Sequence, residues 1–167
     1  SLRDARRAFE GHGREMKRDP GNPTYDHTLD TLCSESGYRF QREKYAPILA
    51  YLRARFGERF ADVRLLDVGV GYGVFLRIAA EDFGMRHLFG MDPYPQSIEV
   101  ARTQTGAPIA RGDILDERWP YDEGNFDVIT CFDVLEHLDR PAEFLVKARR
   151  YLRPGGLVVV RTPNKEL

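Results

Sequence analysis

The sequence is poor in cysteine and in long apolar runs, and each of these absences excludes a class of protein. It has two cysteines among 167 residues, Cys33 and Cys131. Two cysteines are too few for a disulfide framework or a zinc knuckle, so we expect free thiols in a reducing compartment. The longest apolar runs, such as 48–52 and 157–160, are far too short to span a bilayer.

An excess of charge of one sign is also missing. There are 25 basic and 26 acidic residues, with a formal net charge of −1. Such a balance gives no overall field to attract nucleic acid or an anionic membrane. The first residues contain no apolar run of the kind that a signal peptide needs. We therefore expect a soluble cytoplasmic protein whose partner is a small molecule, not nucleic acid or a membrane.

The chain divides into a polar N-terminal segment and an alternating region. We predict that residues 1–60 form a helical cap and residues 61–167 an α/β domain. From Tyr45, apolar residues recur at helical spacing. Pro47 is tolerable in the first turn of that helix, and Gly57 is typical of a helix end.

Strands and helices then alternate to the end of the sequence. Strands are predicted at 63–68, 87–91, 108–110, 126–132 and 157–161, and helices at 75–83, 96–102 and 142–153, the last stopped by a Pro-Gly-Gly at 154–156. Repeated β-α-β units predict a doubly wound, mainly parallel sheet with right-handed crossovers. Ligands bind such sheets at the carboxyl ends of the strands.

A glycine-rich turn follows the first predicted strand. Gly69, Gly71 and Gly73 alternate with other residues, so the backbone can turn tightly and approach a ligand with no Cβ in the way. Val74 stands where a dinucleotide fingerprint has its third glycine, and the spacing is not that of a P-loop. Asp67, just before the turn, would repel a pyrophosphate but attract an ammonium and a sulfonium. These features disfavour a nicotinamide-dependent oxidoreductase and favour S-adenosylmethionine.

With its flanking residues 65–73, this turn resembles the first motif of the Rossmann-like S-adenosylmethionine-dependent methyltransferases. Four further elements match in order: GMDP at 90–93, GDI at 112–114, FDVI at 126–129 and LRPGG at 152–156. The style of the motifs is similar to the small-molecule O- and N-methyltransferases of the quinone-biosynthesis-like group. Members have the strand order 3-2-1-4-5, which we expect here.

The resemblance implies a role for each strand end. The implied cofactor-binding residues are Asp67, Gly69, Gly71 and Gly73 for the methionine end, Asp92 and Pro93 for the ribose, Asp113 and Ile114 for the adenine, and Phe132 beside the amino acid moiety. The implied activity is methyl transfer to an oxygen or nitrogen atom of a small molecule, with S-adenosylhomocysteine as the product. Residues 38–56 are expected to roof the pocket and touch the acceptor.

The segment DVLEH after the fourth strand leaves three interpretations open. On a helix, Asp133, Glu136 and His137 would share one face. Asp133 and Glu136 would form a capping box, Asp133 or His137 would be a general base, or the three would ligate a divalent metal. We favour them in that order, so Asp133 and His137 are the catalytic candidates and no metal ligand is assigned. The metal interpretation corresponds to the small-RNA 2′-O-methyltransferases, which the segment also resembles.

Several other side chains are interpreted as structural. The basic residues near the end of the last predicted helix are expected to face water at its C-terminus instead of binding RNA, and they are Lys147, Arg149, Arg150 and Arg153. Trp119 and Tyr121 are expected to pack beside the adenine pocket.

The last predicted strand is expected to have an edge that needs a covering partner. The family usually continues beyond strand five with a helix and two strands, whereas this sequence stops at Leu167. An apolar edge strand is an association hazard, so we expect further chain or a second copy to cover residues 157–160. A non-catalytic cofactor-binding subunit that works in a complex is the alternative to an enzyme.

Overall fold

The sheet is the centre of the computed structural model, which describes residues 34–163. Its five parallel strands have the order β3-β2-β1-β4-β5. They are β1 (Arg64–Val68), β2 (His87–Asp92), β3 (Ile109–Arg111), β4 (Phe126–Phe132) and β5 (Leu152–Arg161). The predicted doubly wound fold and its strand order are confirmed.

Four α-helices and two 3-10 helices surround the sheet in the described range. The α-helices are α1 (Glu35–Phe56), α2 (Val74–Glu81), α3 (Pro95–Thr105) and α4 (Pro141–Tyr151), and the 3-10 helices are Gly57–Asp62 and Leu135–His137. No helix among residues 34–163 is long and apolar enough to cross a membrane.

The core lies in two apolar clusters, one on each face of the sheet. Leu65 belongs to one cluster and Leu66 to the other, because successive side chains of a strand point to opposite faces. Helices α1, α2 and α3 pack on the Leu65 face, and α4 packs on the Leu66 face. All seven residues of β4 are buried, as expected for a central strand covered on both faces.

Helix α1 is longer than predicted. It begins at Glu35 instead of near Tyr45, and the Ser34 hydroxyl caps it by accepting a hydrogen bond from the Gly37 backbone at 2.9 Å. Pro47 therefore lies inside the helix and not in its first turn, which corrects the prediction. The predicted end is confirmed, since the helix stops at Phe56 before a glycine with a positive φ of 56°.

The junction between α4 and β5 also differs from the prediction. The helix ends at Tyr151, and β5 starts immediately at Leu152 instead of at residue 157. The Pro-Gly-Gly at 154–156 therefore lies within the strand, at a shift in the β4–β5 register. A positive φ of 78° at Gly155 accommodates this irregularity.

Three of the four basic residues near the end of α4 have intramolecular partners. The Lys147 ammonium donates to the Ile114 carbonyl at 2.8 Å, Arg150 pairs with Glu123, and Arg153 donates to Asp127 at 3.1 Å. Arg149 and Arg150 are exposed as predicted, whereas Lys147 and Arg153 are half-buried and Arg153 lies in β5 instead of in the helix, which corrects the prediction for these two.

Trp119 and Tyr121 have the packing role that was predicted for them. Trp119 is buried and stacks on Tyr151, with ring centroids 4.7 Å apart. Tyr121 donates a 2.6 Å hydrogen bond to the Gly90 carbonyl. Cys131 is a buried free thiol, whereas Cys33 lies outside the described residues.

Candidate cofactor site

The glycine-rich turn joins the carboxyl end of β1 to α2. Gly69, Gly71 and Gly73 have positive φ values of 77°, 51° and 79°, a conformation that costs L-residues with a Cβ about 1–2 kcal/mol. The Gly69 and Val70 backbone N–H groups both donate to the Met91 carbonyl, at 2.9 and 3.0 Å. The turn is thus held against the end of β2.

The three glycines differ in what surrounds them. A Cβ on Gly69 would lie 2.5 Å from the Val134 Cγ2 atom, and one on Gly73 would lie 3.1 Å from the Cα atom of Ala101 in α3. A Cβ on Gly71 would meet no atom within 4 Å. Contacts within the protein therefore require glycine at the first and third positions, whereas Gly71 faces open space where a ligand can approach the backbone.

Asp92, at the end of β2, is fixed by the backbone on both sides. Its Oδ2 atom accepts from the Gly71 N–H at 2.9 Å, and its Oδ1 atom accepts from the Tyr94 N–H at 3.0 Å. Burial raises the pKa of Asp92, while these two N–H groups lower it. Pro93 is half-buried between these two contacts. The carboxylate is therefore held beside the turn, where a ribose ligand was predicted.

Asp67, at the end of β1, is a buried carboxylate with a close hydroxyl partner. The Thr130 Oγ1 atom of β4 donates to the Asp67 Oδ1 atom at 2.6 Å. The pKa of Asp67 is raised to about 7, chiefly by burial and to a smaller extent by the negative charge of Asp92. Thr130 and the positive charge of Arg161 act in the opposite direction. The protonation of Asp67 is therefore balanced near neutral pH.

Asp113, just after β3, continues the series. Its Oδ1 atom accepts from the Leu115 N–H at 2.8 Å, and its own N–H donates to the Asp116 carboxylate at 2.8 Å. Asp113 is close enough to Asp92 to raise the pKa of that carboxyl. Asp67, Asp92 and Asp113 thus form a row across the carboxyl ends of three neighbouring strands.

The segment after β4 does not form the predicted helix. Asp133 has a φ of 56° and is the single non-glycine residue with positive φ among residues 34–163. The 3-10 helix begins only at Leu135, and no side chain caps it. The predicted shared helix face and capping box are therefore wrong, because the left-handed Asp133 is not part of the helical turn and the turn that follows has no side-chain cap.

Asp133 instead pairs with Arg161 at the end of β5. The guanidinium of Arg161 donates to both carboxylate oxygens, and the Asp133 N–H donates to the Arg161 carbonyl at 2.8 Å. His137 is exposed. No three histidine, cysteine or acidic side chains gather as a metal site in the described part of the chain, so the metal interpretation finds no ligand set there.

The contact between Arg161 and Tyr45, a residue of the predicted roof, is a feature of this edge that the sequence did not reveal. The guanidinium lies over the Tyr45 ring, 4.7 Å from its centroid, and over Phe132 at 5.5 Å. Tyr45 also packs on Phe75 of α2, with ring centroids 5.1 Å apart. These contacts bring the middle of α1 to the carboxyl ends of β4 and β5. Tyr45 and Arg161 are 116 residues apart in the sequence, so no local pattern could have linked them.

Comparison with known proteins gives a family and several relatives. The family described as methyltransferase domain matches residues 38–167. The ubiquinone biosynthesis O-methyltransferase of Cereibacter sphaeroides is 29% identical over 161 residues, which is 92% of this chain and 58% of the relative. The chain therefore spans a little more than half the length of the curated relatives that it matches.

Solved structures show the same fold. An amino pentose methyltransferase of Micromonospora echinaspora, solved with S-adenosylmethionine bound, has a TM-score of 0.61 and 25% identity, over 84% of this chain and 56% of that one. A protein from Pyrococcus horikoshii reaches a TM-score of 0.67 at 22% identity, over 87% of this chain and 64% of that one. The second likeness supports the fold alone.

Proposed function

The chain belongs to the Rossmann-like methyltransferases that depend on S-adenosylmethionine, and we propose that it transfers a methyl group to an oxygen atom of a small-molecule acceptor. The predicted family and cofactor are confirmed by the family match. The choice of oxygen is supported by the Cereibacter sphaeroides relative, which is named an O-methyltransferase.

The row of carboxylates at the strand ends carries this proposal. Asp67, Asp92 and Asp113 follow neighbouring strands in the sheet order, and each is close enough to the next to affect a pKa. S-adenosylmethionine presents an ammonium, a ribose diol and an adenine amino group in the same succession. All three are groups that a carboxylate accepts hydrogen bonds from, and the ligand carries no phosphate for the acids to repel.

The cofactor would supply a methyl group on a sulfonium, and the neutral thioether of S-adenosylhomocysteine would be the leaving group. The protein's part is mainly alignment, because a correctly held methyl and nucleophile need little further activation. In the proposal Asp67 binds the ammonium, Asp92 the ribose, and Asp113 with the Ile114 amide the adenine. Gly71 allows close approach of the backbone, and Phe132 borders the amino acid moiety.

A proton must leave the acceptor if its hydroxyl is not already ionised. Of the two predicted bases, Asp133 is held in an ion pair with Arg161, whereas His137 is exposed beyond it. Both carboxylate oxygens of Asp133 already accept from Arg161, so we propose His137 as the proton acceptor. Asp133 then fixes Arg161 at the same end of the sheet.

Titration calorimetry with S-adenosylhomocysteine tests the cofactor site. We expect saturable binding that is about 10- to 100-fold weaker in Asp92→Ala, since a charged hydrogen-bond acceptor to the ribose is lost. Asp127→Ala is the matched control. Asp127 is also buried, but it lies at the start of β4, whereas Asp92 lies at the end of β2, and it accepts from the Arg64 N–H at 2.9 Å.

The control variant should bind like the wild type. NADH is titrated in parallel and should not bind. Binding of NADH in place of S-adenosylhomocysteine would contradict the proposed cofactor, and equal weakening in both variants would show that Asp92 acts only through stability.

A further inference from the structure

Thr130 places a polar hydroxyl group inside β4, a strand whose residues are all buried. Thr130 has no exposed surface, and its neighbours Ile129 and Cys131 are apolar and fully buried. A β-branched side chain suits this position in β4, but valine would supply the same shape without a polar atom. A buried hydroxyl needs a hydrogen-bond partner, so the position of that partner indicates why threonine is present.

The partner is the Asp67 carboxylate. Asp67 and Thr130 face each other in the register of β1 and β4, and the hydroxyl lies 2.6 Å from Asp67 Oδ1, compared with 3.5 Å from the Leu66 carbonyl. The hydrogen bond to the carboxylate is therefore the dominant one. It fixes the rotation of an acid that ends β1 directly beneath the glycine-rich turn.

We propose that Thr130 is a positioning residue of the cofactor site, whose hydroxyl orients the Asp67 carboxylate toward the cofactor's ammonium group. This inference rests on the proposed function, because it needs Asp67 to meet the ammonium. Thr130 itself lies a layer deeper, behind Asp67, and does not touch the ligand. Its effect is therefore specific to the part of the cofactor that Asp67 binds.

The Thr130 hydroxyl is one of several groups that set the pKa of Asp67. Burial and the charge of Asp92 raise the pKa of Asp67, the Thr130 hydroxyl and Arg161 lower it, and the balance of the four leaves it at about 7. Tyr45 and Cys131 also interact electrostatically with Asp67, but burial raises the pKa of each to about 12, so both stay uncharged at neutral pH. Loss of the hydroxyl would therefore raise the pKa of Asp67 and favour its protonated form.

The affinity for S-adenosylhomocysteine should depend on the ionisation of Asp67. Below its pKa, Asp67 is neutral and gives no ion pair with an ammonium, so the affinity for S-adenosylhomocysteine rises with pH through about pH 7. Loss of the Thr130 hydroxyl moves this rise to higher pH. The compound 5′-methylthioadenosine lacks the ammonium, so its affinity should depend neither on Asp67 ionisation nor on Thr130.

The experiment is calorimetric titration of both compounds between pH 5.5 and 8.5 into the wild type, Thr130→Val and Thr130→Ser. We expect Thr130→Val to weaken S-adenosylhomocysteine about tenfold at pH 7, with the midpoint shifted upward, and to leave 5′-methylthioadenosine unchanged. Serine keeps the hydroxyl and should restore most of the affinity. Thr130→Ala, which lacks the hydroxyl and adds no bulk, replaces valine if that variant does not fold.

The possible outcomes separate the roles of Thr130. Equal weakening of both compounds at every pH would mean a structural role and overturn the proposal, as would a Thr130→Val profile identical to the wild type. A wild type that binds 5′-methylthioadenosine and S-adenosylhomocysteine equally well at every pH would show that Asp67 does not meet the ammonium. Failure of the wild type to bind either compound would contradict the proposed function itself, and this inference with it.

Discussion

At the scale of single residues, the site is built from polar groups that are fixed before any ligand arrives. Asp92 accepts two backbone N–H groups, and Asp67 accepts the Thr130 hydroxyl. Such contacts remove rotational freedom that binding would otherwise have to restrict. Gly71 complements them, because it leaves the backbone of the turn open beside the acids.

Gly71→Ala tests whether that open space belongs to the ligand. Gly84 is the matched control: it has a φ of 75° and, as at Gly71, an added Cβ would meet no atom within 4 Å. Both alanine variants should lose about 1–2 kcal/mol of unfolding free energy from backbone strain, measured by denaturant titration. Only Gly71→Ala should weaken S-adenosylhomocysteine, by about tenfold or more. Equal affinity in the two variants would place the ligand elsewhere.

At the scale of secondary-structure elements, α1 links the cap to the sheet. Leu49 and Leu52 are buried in the core cluster on the Leu65 face, and Tyr45 reaches the carboxyl ends of β4 and β5 through Phe132. One face of the helix is therefore core, although Pro47 interrupts its hydrogen bonding. The roof over the pocket and the division into a cap and a cofactor domain both stay predictions.

Two adjacent substitutions distinguish the faces of α1. Leu52→Ala removes a fully buried side chain and should lower the free energy of unfolding by about 2–5 kcal/mol. Tyr51→Ala removes a side chain that is 59% exposed and should change it by no more than about 0.5 kcal/mol. Denaturant unfolding curves measure both. Similar losses in the two variants would contradict the packing of α1 described above.

At the scale of the whole molecule, the sheet ends in an open strand. The order β3-β2-β1-β4-β5 leaves β5 paired only with β4 among the described residues, and Val160 is 37% exposed. The chain also spans 58% of the length of its Cereibacter sphaeroides relative. The cover predicted for this edge, whether further chain or a second copy, stays a prediction.

Because β5 is an edge strand, we predict that the 167-residue chain self-associates at high concentration. Val160→Lys should reduce this association, because a charged side chain on an edge strand opposes pairing with another strand. Val146→Lys is the control, since Val146 is 71% exposed on a helix, which offers no free strand backbone. Sedimentation velocity over a range of concentrations measures the effect. A monomeric wild type, or equal effects of the two lysines, would contradict the prediction.

The sequence by itself determined the parallel sheet and the row of acids at its edge, whereas the strand order was implied by the resemblance to the methyltransferase family. The periodic apolar runs predict the strands, and residues that follow parallel strands must meet at the same edge. The glycines at 69, 71 and 73 were predictable because positive φ is a local property of the chain. The limits of α1 and β5 were missed, since tertiary packing extended both elements past the local breaks at Pro47 and residues 154–156.

Only the tertiary structure decided which side chains act together. The DVLEH segment has the spacing of a helix face, yet pairing of Asp133 with Arg161 accompanies a left-handed backbone that prevents the helix. The contact between Thr130 and Asp67 joins residues 63 positions apart and depends on the register of β1 with β4. Local sequence patterns predict where strands end and where turns form. A side-chain hydrogen bond between two strands depends also on their register, because a shift of one residue moves every side chain of a strand to the opposite face of the sheet.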